Sequence, residues 1–354
     1  MDSVTLVLFL VGIVLLIAGA EALVREAARL AAVIGLTVVA FGTSSPELAV
    51  NLRASLAGEP DIVLGNVIGS NIFNVLFILG LGALIAPLVV AQQLVRLDVP
   101  LMIGVSVLLL ALALDGTIGR VDGLVLFAGI VGYSLFVVRH SSKETAAVRS
   151  EYEQEFGERP RRITQWQVNG ALVVIGLGML VVGSRWLVNG AVAVATALGL
   201  SELVISLTII AAGTSLPEVA TSIVASIRGE RDIAVGNVVG SNLFNMPAIL
   251  GLSSIIAADG IRVAPAALRF DIAVMIAVSV ACLPIFFTGY QIARWEGFLF
   301  LASYAGYTLS LVLDAAEHDA LPAFRAVMAL FMLPLTGATL AVLAIRALRV
   351  QRAD

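Results

Sequence analysis

Two glutamates lie inside apolar stretches of the chain that are long enough to cross a membrane. Glu47 ends the sequence GTSSPE at 42–47, and Glu218 ends the sequence GTSLPE at 213–218. An intramembrane carboxylate costs about 2.5–3.5 kcal/mol on insertion scales and usually marks an ion or substrate path. For one such residue the alternative is a glutamate that is protonated or paired with a neighbour for packing. Two glutamates at matching positions favour an ion path.

Oxygen atoms surround each glutamate in the sequence. A threonine precedes each glutamate by four residues (Thr43 and Thr214), so that the two side chains share one helix face. The proline before each glutamate (Pro46 and Pro217) lacks an N–H, and a carbonyl one turn earlier therefore loses its helical partner. At membrane depth such a carbonyl must be satisfied by protein or face a cavity. A bound cation would satisfy it, and a simple proline kink is the alternative.

A second repeated motif adds amides and hydroxyls. GNVIGSN at 65–71 and GNVVGSN at 236–242 contribute Ser70 and Ser241, and Asn74 and Asn245 follow one turn later. Together the motifs offer two carboxylates, two amides, hydroxyls and backbone carbonyls. This all-oxygen set suits hard cations such as Ca²⁺ and Na⁺, and two carboxylates match the charge of one Ca²⁺.

The elements that carry these motifs are predicted to be membrane helices. Of the 354 residues 60% are hydrophobic and 13% are charged, against roughly 25% charged in soluble domains. Apolar runs of about 20 residues, each long enough to span the hydrocarbon as a helix, predict an all-α polytopic membrane protein. We predict about eleven spans near 4–24, 31–57, 62–86, 98–115, 120–139, 167–188, 203–228, 233–258, 268–288, 294–313 and 322–346.

Both motif pairs are offset by 171 residues, which indicates an internal duplication. With five spans per copy, the second copy enters the membrane from the opposite face, as in the inverted repeats of secondary transporters. We therefore predict a first repeat at 1–139, a polar linker at 140–165, a second repeat at 166–313, and an extra helix and tail at 314–354. A substrate site is expected at the repeat interface near the midplane.

The distribution of Lys and Arg predicts the orientation. With the N-terminus outside, fifteen of the 21 basic residues fall on the cytoplasmic side and six on the other. The positive-inside rule therefore predicts an outer N-terminus, a cytoplasmic linker and a cytoplasmic C-terminus in the cytoplasmic membrane.

Enzyme classes are disfavoured by the sequence. The two histidines, His140 and His318, fall in predicted loops, and neither a GxSxG nucleophile motif nor a phosphate-binding loop is present. The single cysteine, Cys282, lies in a predicted span, and the net charge of −4 gives no sign of a nucleic-acid surface. We expect no cofactor, inorganic cations as substrates and the lipid bilayer as the surroundings. A cation channel stays open as an alternative.

At these residues the sequence resembles the calcium/cation antiporter superfamily, in particular its prokaryotic sodium/calcium exchanger branch. GTSSPE with GNVIGSNIFN is similar to the family's first alpha repeat, and GTSLPE with GNVVGSNLFN to its second. The resemblance implies ten core helices, ion sites between spans 2, 3, 7 and 8, and sliding of spans 1 and 6 for alternating access. It implies that Glu47, Glu218 and the carbonyls of Thr43 and Thr214 bind calcium. It also implies sodium sites that share the two glutamates and include Ser44, Ser215, Ser70, Ser241 and carbonyls near Ala40 and Ala211, with Asn74 and Asn245 lining the centre.

Two details of the sequence bear on this resemblance. Potassium-dependent relatives carry an aspartate at the position of Asn245, so the resemblance implies Na⁺/Ca²⁺ exchange that does not require potassium. A proton/calcium antiporter with the same two glutamates is the alternative. The segment from Gly19 to Gly42 is seven residues shorter than its counterpart from Gly183 to Gly213, which affects the region where the first gating helix meets the second span.

Overall fold

A computed structural model describes residues 3–29, 40, 42–156, 163–198, 211–328, 337 and 341. The described chain is predominantly helical, and eight of its helices are long and apolar enough to cross a membrane. In chain order the elements are α1 (Ser3–Arg29), α2 (Ser45–Ala57), α3 (Pro60–Ile85), β1 (Leu88–Val89), α4 (Leu94–Leu112), β2 (Thr117–Ile118), α5 (Arg120–Phe156), α6 (Ile163–Ala197), α7 (Leu216–Arg228), α8 (Arg231–Ile256), β3 (Ile261–Arg262), α9 (Ala267–Phe287), β4 (Gln291–Ile292), α10 (Arg294–Ala315) and α11 (Leu321–Val327).

The eight membrane-length helices coincide with eight of the predicted spans, which confirms a polytopic helical chain. The predicted spans 31–57, 203–228 and 322–346 lie partly outside the described residues, as do residues 30–39 and 41 of the shortened connection between Gly19 and Gly42. The predicted linker at 140–165 is largely helical where it is described. There α5 continues to Phe156, and α6 begins at Ile163.

Helices α3 and α8 form the centre of the molecule. Of their apolar stretches, 72% of α3 and 89% of α8 are buried, against 22% for α1 and 11% for α10. The peripheral helices expose large apolar side chains such as Val14 and Phe298, as expected of surfaces that face lipid. The two central helices carry the GNVxGSN motifs, so the polar motif residues are enclosed by protein.

The helices that carry the two glutamates each begin with a turn that contains the proline of the sequence motif. Ser44 and Ser215 stand at the N-terminal ends of α2 and α7, each of which has a proline in its first turn. Helical residues precede both turns, at Gly42 and Thr43 and at Ala211–Gly213. The missing proline N–H thus coincides with a break between two helical segments, because the hydrogen-bond ladder cannot continue through it.

In both central helices a π-helical turn follows the GNVxGSN motif. These turns comprise Asn74–Leu79 in α3 and Asn245–Leu250 in α8. A π-helical turn inside an α-helix widens the backbone locally and is often found at functional sites. In both helices the turn begins at the asparagine that the sequence predicts to be a ligand.

Helices α1 and α6 pack closely through glycines. A Cβ on Gly12 would lie 2.9 Å from the carbonyl oxygen of Gly183, and one on Gly19 would lie 2.7 Å from that of Gly176. From the first contact to the second the residue number rises on α1, from Gly12 to Gly19, and falls on α6, from Gly183 to Gly176. The two helices are therefore antiparallel. Small residues allow this backbone contact in the way that is common between membrane helices.

Two short antiparallel ribbons connect the sequence copies. Leu88 in β1 pairs with Ile292 in β4, and Thr117 in β2 pairs with Arg262 in β3. The α3–α4 loop therefore lies at the same end as the α9–α10 loop, and the α4–α5 loop lies beside the α8–α9 loop. The topology predicted from the distribution of Lys and Arg also places the two loops of each pair on one side of the membrane.

Candidate cation-binding site

The two glutamates lie near the start of α2 and α7, where the broken helices meet α3 and α8. Glu47 is 1% exposed and Glu218 is 0% exposed. Both occupy the first helical turn, where the partial positive charge of a helix N-terminus favours a carboxylate. Among the described residues neither glutamate forms an ion pair with a basic side chain.

Each glutamate is hydrogen-bonded to the serine of the other motif copy. The Ser44 hydroxyl donates to Glu218 Oε1 at 3.0 Å, and the Ser215 hydroxyl donates to Glu47 Oε1 at 3.1 Å. The structure thus brings four of the predicted residues into one reciprocal arrangement.

The threonines form a second reciprocal pair of contacts. Thr43 donates to Asn237 Oδ1 at 3.2 Å, and Thr214 donates to Asn66 Oδ1 at 3.1 Å. Thr43 is buried and Thr214 is half-buried. Sequence reasoning missed Asn66 and Asn237, although both follow the first glycine of the repeated GNVxGSN motif.

The predicted asparagines contact two further asparagines across the copies. Asn74 Nδ2 donates to Asn242 Oδ1 at 3.0 Å, and Asn245 Nδ2 donates to Asn71 Oδ1 at 3.2 Å. Asn71 and Asn242, the last residues of the GNVxGSN motifs, were also missed. Their repetition at the offset of 171 residues was the signal that could have identified them.

The motif serines on the central helices differ between the two copies. Ser70 Oγ lies 3.2 Å from Ser215 Oγ. Ser241 Oγ is buried and has no hydrogen-bond partner within the described part of the chain. The two halves of the site are therefore not equivalent at this position.

The predicted backbone ligands are near the site, and their role stays a prediction. The Ala40 carbonyl accepts the Ser44 N–H at 3.1 Å, and a carbonyl oxygen has a second lone pair that can bind an ion. Ala211 begins the helical turn before α7. The carbonyls of Thr43 and Thr214 belong to the same breaks in the two helices.

Several buried oxygen atoms of the site have no hydrogen-bond partner among the described residues. They are Glu47 Oε2, Glu218 Oε2, Asn74 Oδ1, Asn245 Oδ1 and Ser241 Oγ. A buried acceptor without a partner costs about 1–3 kcal/mol, and more if it is charged. Carboxylate, amide and hydroxyl oxygens of this kind are the ligands that hard cations take. Among the described residues no cluster of three or more His, Cys, Asp or Glu occurs, and the carboxylates at the site are those of Glu47 and Glu218.

A second repeated contact lies outside the two motifs. Tyr133 on α5 donates to Asp98 Oδ1 at 2.9 Å, and Tyr307 on α10 donates to Asp271 Oδ1 at 3.0 Å. Asp98 and Tyr133 line a cavity of about 320 Å³, and Ala40 lines it too. Sequence reasoning did not single out these aspartates. In the first copy this hydrogen bond joins α4 to α5, and in the second copy it joins α9 to α10.

Comparison with known proteins gives one consistent result. Residues 4–139 and 169–313 match the family described as sodium/calcium exchanger protein. The chain is 38% identical over 316 residues to a putative antiporter, CaxA, of Alkalimonas amylolytica, covering 86% of this chain and 97% of that protein. It is 31% identical to the sodium/calcium exchanger MaX1 of Methanosarcina acetivorans, covering 88% and 99%. A solved structure of the sodium-calcium exchanger NCX_Mj superposes with a TM-score of 0.73 at 31% identity, covering 88% of this chain and 100% of that one.

Proposed function

Because this chain belongs to the sodium/calcium exchanger family of membrane transporters, we propose that it exchanges Na⁺ for Ca²⁺ across the cytoplasmic membrane. The exchange proceeds by alternating access and does not require potassium. The observation that carries this proposal is the pair of buried glutamates. Each is hydrogen-bonded to the serine of the other motif copy, and each has one oxygen without a partner in the part of the chain that the structure describes.

The charge of the site explains why transport is an exchange. One Ca²⁺ neutralises the two carboxylates, and Na⁺ ions would neutralise the same two carboxylates with help from Ser44, Ser215, Ser70 and Ser241. The two kinds of ion therefore compete for one pair of charges. An empty site leaves two uncompensated charges in protein, which costs several kcal/mol per ion. Reorientation without bound ions is consequently disfavoured.

The site geometry supports an architecture of two inverted repeats. In this proposal residues 1–139 and 166–313 form the repeats, 140–165 is a cytoplasmic linker, and 314–354 adds an eleventh span. The cross-copy hydrogen bonds, the antiparallel contact of α1 with α6, and the two ribbons all support it. The N-terminus then lies outside and the C-terminus in the cytoplasm.

The site residue Asn245 supports independence from potassium. It is an amide, and its Nδ2 donates to Asn71 Oδ1. A carboxylate at this position would add a third negative charge that a further monovalent cation could balance. With an amide, two carboxylates define the charge that the ions must supply.

Ion flux into proteoliposomes tests the proposal. An outward-directed Na⁺ gradient should drive Ca²⁺ uptake with potassium absent on both sides. Uptake that follows a pH gradient and ignores sodium would instead identify a proton/calcium antiporter with the same two glutamates. Ca²⁺ flux that needs no counter-ion gradient and shows no saturation would identify a channel.

A further inference from the structure

The orientation of the two ligand asparagines is decided by the atoms around them. An asparagine can present either an oxygen acceptor or an NH₂ donor to a cation site, and its hydrogen-bond partners determine which. Only the oxygen can bind a cation. Asn74 and Asn245 are 0% and 1% exposed, so water does not determine their orientation.

The orientation of Asn74 depends on Asn242. Asn242 Nδ2 donates to the backbone carbonyl of Asn71 at 3.1 Å and approaches Met102 Sδ at 3.7 Å. A carbonyl and a thioether sulfur only accept, so the NH₂ group of Asn242 must face them. Its Oδ1 is then left to accept Asn74 Nδ2 at 3.0 Å.

Asn245 is oriented by an equivalent set of contacts. Asn71 Nδ2 donates to Met275 Sδ at 3.6 Å, and Asn71 Oδ1 accepts Asn245 Nδ2 at 3.2 Å. Because the sulfur of Met275 accepts and does not donate, this contact favours the Asn71 rotamer that directs its NH₂ group towards Met275. Each ligand asparagine is thus oriented by an asparagine of the other motif copy.

Both sets of contacts leave an oxygen atom without a partner. Asn74 Oδ1 and Asn245 Oδ1 are buried and accept no hydrogen bond from the residues that the structure describes. Rotating the Asn74 amide by half a turn would bring its Oδ1 against Asn242 Oδ1, where two acceptors repel. It would also turn two N–H donors towards the cation.

We infer that Asn71 and Asn242 are positioning residues which hold the amides of Asn245 and Asn74 with the oxygen directed at the transported cation. They act through the ligand asparagines. This inference rests on the proposed function, since it takes Asn74 and Asn245 as ligands.

A double-mutant cycle on Asn74 and Asn242 tests this inference. Asn242→Leu removes both the donor and the acceptor at similar size. It should raise the KM for Ca²⁺ in proteoliposomes about tenfold, as one ligand contact of about 1.4 kcal/mol is lost, with a smaller change in the maximal rate. In an Asn74→Leu background, where the oxygen that Asn242 holds in place is already absent, the same change should alter the KM less than about twofold. Such non-additivity is the signature of direct coupling.

The other outcomes separate the inference from the proposed function. Equal effects of Asn242→Leu in both backgrounds would mean that Asn242 only fills space, and the inference would be wrong. An unchanged KM in Asn74→Leu would mean that Asn74 is not a ligand, which would contradict the proposed site itself. If Asn242→Leu does not yield folded protein, the matching cycle of Asn71→Leu with Asn245→Leu decides in the same way.

Discussion

Replacing either buried glutamate by glutamine is the most direct test of the site. In Glu47→Gln the side-chain oxygen can still accept the Ser215 hydroxyl, which lies 3.1 Å from Glu47 Oε1. The unpartnered Oε2, however, becomes an NH₂ group that faces the cation. The variant therefore keeps size and one hydrogen bond, and it loses one charge and one ligand.

The size of the effect follows from the burial of both carboxylates. A Ca²⁺ ion with one carboxylate leaves a net positive charge in protein, and breaking a buried charge pair costs about 3–5 kcal/mol. At 1.4 kcal/mol per tenfold change, calcium affinity should fall roughly a hundred- to a few-thousand-fold. Glu218→Gln should behave in the same way, because the Ser44 hydroxyl donates to Glu218 as Ser215 does to Glu47.

Calcium uptake and thermal stability measure two sides of this prediction. Sodium-driven uptake should be lost in both variants, and so should the rise in melting temperature that a bound ligand produces. Without ions both variants should be as stable as the parent or more stable, since a neutral side chain is easier to bury. Glu59→Gln, at an exposed residue between α2 and α3, is the control and should transport normally. Near-parental uptake by folded Glu47→Gln or Glu218→Gln would refute the assignment of the site.

Three further predictions concern potassium, the serine contacts and helix packing. Exchange should run at the same rate with and without potassium because Asn245 is an amide, and a strict potassium requirement in the flux assay would contradict this. Ser44→Ala should weaken ion binding roughly ten- to a hundredfold, because a hydrogen bond to a charged group contributes about 1.5–3 kcal/mol. Its control is Ser303→Ala, which removes a hydrogen bond within α10 and should not change the measured KM. Gly19→Leu should lower the melting temperature and the transport rate because its Cβ would overlap the α6 backbone, whereas Gly129→Leu, with open space beside it, should leave both unchanged.

The sequence was sufficient for the described membrane helices and for the buried polar residues of the candidate site because their signals are local. Apolar length predicted eight helices that the structure describes, and the prolines predicted the interruptions before α2 and α7. The oxygen-bearing residues were identifiable because Glu47 and Glu218 repeat at a constant offset. Length, periodicity and repetition require no knowledge of which helices touch.

The contacts between the two copies were beyond sequence reasoning because they depend on how the helices are rotated. Nothing local indicates that Thr43 faces Asn237, or that Asn71 and Asn242 contact the ligand asparagines. The Asp98–Tyr133 contact joins residues 35 positions apart on different helices, so its geometry follows from packing. The π-helical turns likewise have no clear sequence signature.

The reciprocal serine–glutamate contacts have a consequence for how the chain is made. Glu47 finds its hydrogen-bond donor 168 residues later in the chain, and at roughly 5–20 residues per second a ribosome takes about 10–30 s to supply it. Strand β1 must wait still longer for β4. During this interval the first half of the nascent chain contains Glu47 without its serine donor and β1 without its partner strand. The second half therefore completes the folding of the first, and a ribosome that stalls between the copies leaves a product suited to quality-control proteolysis.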